Sequence, residues 1–184
     1  MYMANDTNST TSHLVPGYLT PSNLALEALA TKLGAALKAK AYMLALAESC
    51  TGGLVAQAVT SVAGSSAWFD RGFITYSNLA KIEMLSVAEQ TLAKFGAVSE
   101  ETALEMALGA LKNSQARISG SITGIAGPDG GTIEKPVGTV CFAWTEKGSP
   151  AQVITVKFSG NRDEIRRQAA ATIMTKLIER LNQQ

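Results

Sequence analysis

The chain has 184 residues, 46% of them hydrophobic and 17% charged, with 16 basic and 15 acidic side chains for a formal net charge of +1. That length suits one well-buried core rather than two small ones. The even charge balance excludes the broad basic face that nucleic acid or an anionic membrane would need, so an anionic ligand must be held locally by a few placed groups.

Residues 1–20, including "NDTNSTTS", are polar and aperiodic and are expected to form a disordered tail, leaving one domain over 21–184. From Ser22 to Lys40, leucines 26, 29, 33 and 37 recur at helical spacing behind Pro21, which predicts an amphipathic helix. A strand over 42–48, a helix from Gly52 to Val62 and a second strand over 68–77, "WFDRGFITYS", follow. Ser99 is placed to cap a helix that carries Glu100 and Glu101 in its first turn and runs to about Ala116. "ISGSITG" (118–124) reads as the third strand, and the loop "IAGPDGGTIEKP" leads to a fourth over 137–146. "KGSP" turns into a fifth over 151–159, so the last two strands are expected as an antiparallel hairpin. A closing helix from Arg162 presents Ile165, Ala169, Ile173, Leu177 and Leu181 on one face.

This order predicts an α/β fold, a three-layer α/β/α sandwich around a mixed, mostly parallel sheet of about five strands. In such sheets ligands sit beyond the carboxyl ends of the parallel strands. The rule nominates Ser49, the triplet Tyr76-Ser77-Asn78, and Thr123-Gly124. In "AESCTGG" (47–53) the glycines allow close backbone approach, and the amides of Cys50, Thr51 and Gly52 could hold an anion or oxyanion at a helix start. Alternatively, Ser49 or Thr51 is only a helix cap and the glycines serve packing.

The sole histidine, His13, lies in the polar tail, which argues against a Ser-His-Asp or Cys-His site and against a histidine-built metal centre. Neither GxxxxGK[ST] nor GxGxxG occurs, which removes the usual case for an NTPase or a dinucleotide oxidoreductase. Cys50 and Cys141 lack metal-ligand spacing and are expected as reduced thiols. No apolar stretch approaches the roughly 20 residues that span a bilayer, and no basic-then-apolar leader pattern opens the chain, so a cytoplasmic location is expected. A nucleophile would then need a lysine or carboxylate as base. Lys81, just past the second strand, could point back at Ser49 with a pKa lowered by partial burial, or be an ordinary solvated helix lysine. Tyr76 could equally be a core aromatic and Thr123 a plain strand residue.

"AESCTGG", "SSAWFDRGFITYSNLAK", "GAVSEETA", "ITGIAGPDGGTIEKPVGTV" and "FSGNRDEIRRQAA" occur in order over residues 22–181. Together they resemble the signature blocks of the CinA C-terminal domain family, in particular its stand-alone nicotinamide-nucleotide amidohydrolases. The larger N-terminal domain of full-length members has no counterpart in these blocks, so its pyrophosphatase activity is not expected. The resemblance implies hydrolysis of the carboxamide of nicotinamide mononucleotide (NMN) to nicotinate mononucleotide and ammonia, with neither metal nor cofactor. It also implies a serine-lysine site matching Ser49 and Lys81, with Tyr76 and Thr123 beside them to relay protons or fix the lysine.

Within that frame the amides of Cys50, Thr51 and Gly52 are the expected oxyanion donors. Arg162, at a helix start, and the glycine-rich backbone containing Gly124 and Gly127 are the expected phosphate cradle. Arg166 and Arg167 read equally well as a solvated helix face. Asp129 and Lys135 read as rim residues, with Lys135 also able to meet the phosphate. The rival readings are a serine-lysine amidase for another small amide and a non-catalytic module that binds a nucleotide or a protein. The expected partner is a small molecule, without nucleic acid or membrane, and the edge hairpin suggests a homodimer.

Overall fold

The computed structural model describes residues 20–183, so the expected tail falls outside the described residues except for Thr20. The first helix, α1 (Asn23–Ala39), starts where the Ser22 side chain accepts the Ala25 amide, and it buries Leu26, Leu33 and Leu37. Strand β1 (Leu44–Glu48) is buried throughout and leads into α2 (Leu54–Thr60). A single 3-10 turn at Ser65–Ala67 precedes β2 (Phe69–Ile74). Beyond it come α3 (Asn78–Leu85), α4 (Glu89–Phe95) and α5 (Glu100–Lys112). The chain closes with β3 (Ile118–Gly124), β4 (Thr139–Glu146), β5 (Gln152–Lys157) and α6 (Arg162–Asn182).

The sheet order is β2-β1-β3-β4-β5. β1 pairs in parallel with β2 and β3, whereas β4 runs antiparallel to both of its neighbours, so four strands share one direction and β4 alone opposes them. The chain leaves β1 to one side to make β2 and then crosses to the other side to make β3. That reversal opens a crevice at the carboxyl end of β1, where α/β sheets take their ligands.

Alternation along the strands divides the core. Leu44, Leu46, Ile118, Ile122 and Phe142 join α1, α2 and α6 on one face, with Trp68 sealed among them. On the other face the strand side chains are small: Ala45, Ala47, Ser119, Ser121, Cys141 and Ala143. This lets α5 approach closely enough for the Ser119 and Ser121 hydroxyls to donate to the Ala107 and Ala103 carbonyls at 2.7 and 2.6 Å.

Several expected boundaries shift. β2 stops at Ile74 because its only neighbour, β1, ends opposite it at Glu48. α5 ends at Lys112 rather than near Ala116, and the Ser114 hydroxyl then accepts the Ala116 amide. Residues 78–95 form two short helices that the sequence did not delineate. Among the described residues no helix is long and apolar enough to cross a membrane.

Candidate active site

At the carboxyl ends of β1 and β3 lies a cleft of about 260 Å³, near the lower end of small-molecule pockets. Its walls include Ser49 and Cys50 after β1, Tyr76, Asn78 and Lys81 around the start of α3, Thr123 to Gly127 after β3, and Arg162 at the start of α6. Three of these segments are the strand ends nominated from the sequence, although Ser77 caps α3 instead of lining the cleft, and Arg162 adds a fourth from α6.

Ser49 and Lys81 form its floor. The Lys81 amine lies 3.1 Å from the Ser49 hydroxyl oxygen and donates to the Thr75 carbonyl at 2.8 Å. The lysine side chain is only 1% exposed, so the solvated-lysine reading fails. Among the described residues these two neutral oxygens are its hydrogen-bond partners. Burial lowers the Lys81 pKa because the charged amine loses its water, and interaction with Cys50 pulls weakly the other way. Among the described residues no carboxylate forms an ion pair with Lys81.

Cys50 is driven in the opposite sense. Burial pushes its thiol up to about 12, helped by the Glu48 carboxylate and opposed by Arg166 and Lys81. At neutral pH it is a thiol and a poor nucleophile. Of the three amides expected to receive an oxyanion, only that of Cys50 belongs to a residue lining the cleft. The Gly52 amide donates to the Ser49 carbonyl, and Thr51 is fully buried, its carbonyl accepting from the Leu54 amide and the Arg166 guanidinium. Neither Thr51 nor Gly52 reaches the cleft, because the turn folds back on itself before α2 begins.

Tyr76 is neither a core aromatic nor the residue that fixes the lysine. It is 60% exposed at the rim, where its hydroxyl accepts from Arg162 at 2.9 Å. Thr75 holds the lysine instead, through a backbone carbonyl that side-chain patterns cannot reveal. Thr123 is buried beside Ser49 in the cleft wall, with its hydroxyl donating to the Ala97 carbonyl at 2.6 Å.

Arg162 spans the mouth, donating to the Gly127 carbonyl at 2.8 Å as well as to Tyr76. The helix start beneath it is not open to an anion: the Asn161 side chain and Glu164 complete a capping box there. Gly124 and Gly127 line the cleft, and each also has a packing reason to lack a side chain. A Cβ on Gly124 would press on Val140, and one on Gly127, at φ +79°, would press on Val137.

Asp129 reaches the rim, but the Lys135 amine is turned to the Phe95 carbonyl at 2.8 Å. Arg166 and Arg167 are not a merely solvated face: one grips the Thr51 carbonyl, the other Asp163 and Asn23. Ala97 and Val98, from the turn between α4 and α5, complete the wall. Being small and apolar, they carried no functional signal. Among the described residues no three His, Cys, Asp or Glu side chains are grouped as a metal ion would require.

Residues 26–181 match the family model described as the CinA C-terminal domain. The chain belongs to this family. This CinA C-terminal domain is 55% identical over 157 residues to nicotinamide-nucleotide amidohydrolase PncC of Enterobacter agglomerans, covering 84% of the chain and 94% of that protein. Identity to the protein of the same name from Escherichia coli K12 is 54% over 149 residues, covering 81% and 90%. Among solved structures, competence/damage inducible protein CihA from Agrobacterium tumefaciens superposes with a TM-score of 0.84 at 46% identity, over 90% of this chain and 99% of that chain.

Proposed function

We propose that this chain is a nicotinamide-nucleotide amidohydrolase, converting NMN and water to nicotinate mononucleotide and ammonia, with Ser49 as nucleophile and Lys81 as its base. The observation that carries the reading is the buried Lys81 amine at 3.1 Å from the Ser49 oxygen, at the floor of a cleft walled by strand ends. Relatives of more than 50% identity that bear the name of this activity support the choice of substrate.

Neutral Lys81 takes the Ser49 proton as Oγ bonds to the carboxamide carbon, and the carbonyl electrons move onto oxygen. The Cys50 amide serves as donor to that oxyanion, a role supported by the place of Cys50 in the cleft lining. Collapse re-forms the carbonyl and breaks the C–N bond, while the lysine passes its proton to the leaving nitrogen, which departs as ammonia. Water then adds to the acyl-serine with Lys81 accepting its proton, and release of Oγ with return of the proton restores the site. Structurally, Arg162 uses two of its five N–H groups on Gly127 and Tyr76, leaving others for the substrate phosphate. Thr123 shapes the wall, and Gly124 and Gly127 offer backbone to the bound nucleotide. The enzyme needs neither cofactor nor metal, acts in the cytoplasm as a single domain over 21–184, and pairs as a homodimer through the edge hairpin of β4 and β5.

Ammonia release from NMN, free nicotinamide and simple amides, measured with the native chain and with Ser49→Ala, tests this reading. Turnover of NMN in preference to the others, abolished in Ser49→Ala with binding retained, is expected. Cys50→Ser should stay active. Near-native activity in Ser49→Ala would refute the serine mechanism, and loss of activity in a folded Cys50→Ser would transfer the nucleophile to Cys50.

A further inference from the structure

Glu48, the last residue of β1, is completely buried immediately before Ser49. Among the described residues no basic side chain forms an ion pair with it. A buried carboxylate without a cation persists only if other donors satisfy it. Those donors are backbone amides of the helix that follows the nucleophile: Oε2 accepts from Gly53 and Val55 at 3.0 and 3.2 Å, and Oε1 from Ala56 at 2.8 Å. The residue at the usual capping position, Gly53, has no side chain, so Glu48 reaches forward over the turn to cap α2 in its place.

The turn over 49–53 is thereby held from several sides. The Glu48 carbonyl accepts the Thr75 amide from beyond β2, and the Ser49 amide donates to Ile122 in β3. Arg166 grips the Thr51 carbonyl at 2.6 Å from α6. Through its side chain Glu48 ties the end of β1 directly to the first amides of α2.

We infer that Glu48 is a positioning residue for Ser49, whose carboxylate, by occupying the first amides of α2, holds the strand-to-helix turn in the shape that sets Oγ against Lys81. The inference rests on the reading of Ser49 as nucleophile. Although Glu48 is next to Ser49 in the chain, it is not its base, since both carboxylate oxygens face amides of α2 rather than Ser49.

The test is Glu48→Gln, near in shape but with an NH₂ group that cannot accept a hydrogen bond in place of one oxygen. It is assayed on NMN beside the native chain and Ser49→Ala, with hydrogen exchange followed at individual amides. Per folded molecule, kcat should fall by about 10- to 100-fold with KM little changed, as expected when a reacting atom is misplaced while binding groups on other segments remain. Exchange at Gly53, Val55 and Ala56 should accelerate while the β1 and β3 amides stay protected.

Native kcat despite faster exchange would reduce Glu48 to a stabilising cap and overturn the inference, as would unchanged exchange at those amides. A loss of kcat/KM carried by KM would also overturn it. Failure of the native chain to release ammonia would remove the functional reading and this inference together. An inactive Ser49→Ala beside a fully active Glu48→Gln would remove the inference alone. If Glu48→Gln does not fold, Glu48→Asp, which keeps the charge but shortens the reach, is judged by the same criteria.

Discussion

A lysine amine beyond the reach of water gives up its proton more readily than a solvated one, and the depressed pKa of Lys81 follows from burial with two neutral oxygens as partners. Only the neutral amine can accept the Ser49 proton. The protonated enzyme is therefore the inactive form, and the rate should rise with pH through a midpoint below that of an ordinary lysine. Lys81→Arg keeps the charge but cannot deprotonate, so kcat should fall at least ~10²-fold and the rise with pH should vanish. A kcat–pH profile of both proteins checks this. A flat native profile, or an arginine variant of nearly full activity, would confine Lys81 to holding the substrate. The neighbouring thiol shows that burial alone does not make a nucleophile: it disfavours the thiolate of Cys50, the reactive form of a cysteine, and favours the neutral amine, the reactive form of a lysine base.

Among the elements, α3 does what its sequence least suggests. Its inward positions are Lys81 and Leu85, one turn apart, while Leu79 and Met84 are exposed, so the apolar periodicity that betrays a helix is missing. What holds it is the fit against α5. A Cβ on Gly109 would overlap the Leu85 backbone carbonyl at the end of α3, so that glycine sets how closely the helix bearing the base can approach. Gly109→Ala should destabilise the fold by about 1–3 kcal/mol, as overpacking does, and lower kcat as Lys81 is displaced. Denaturant unfolding and steady-state kinetics on one preparation measure both, and undiminished stability would mean that the two helices part freely. α1, α5 and α6 were legible for the opposite reason: their buried residues recur at helical spacing, with Pro21 at the entrance of α1 and Ser99 as the cap of α5.

Across the whole molecule the cleft depends on the last helix closing over loops from the middle of the chain. Arg162 joins the Gly127 loop to Tyr76 over sequence separations of 35 and 86 residues, so one guanidinium shapes the mouth and stands ready for the phosphate. Arg162→Lys retains a charge but cannot span both partners. Loss of charge-assisted bonds of about 1.5–3 kcal/mol should raise KM for NMN by roughly one to two orders of magnitude, with a smaller effect on kcat. Initial-rate kinetics across substrate concentration decide this. An unchanged KM would assign the phosphate to other groups and leave Arg162 a latch between loops.

The sequence by itself determined the sandwich, the antiparallel hairpin and the strand ends that carry Ser49 and Thr123, because alternation, helical spacing and capping residues are local properties of a chain. It also placed Lys81 within reach of Ser49, through the resemblance of its motif blocks. Only the tertiary structure decided that Thr75 rather than Tyr76 holds the lysine, that Thr51 and Gly52 turn away from the cleft, and that Glu48 spends its charge on the amides of α2. Each of those outcomes depends on which backbone groups remain unpaired once strands and helices are packed together, and the competition for those groups takes place in space, between segments that are distant along the chain.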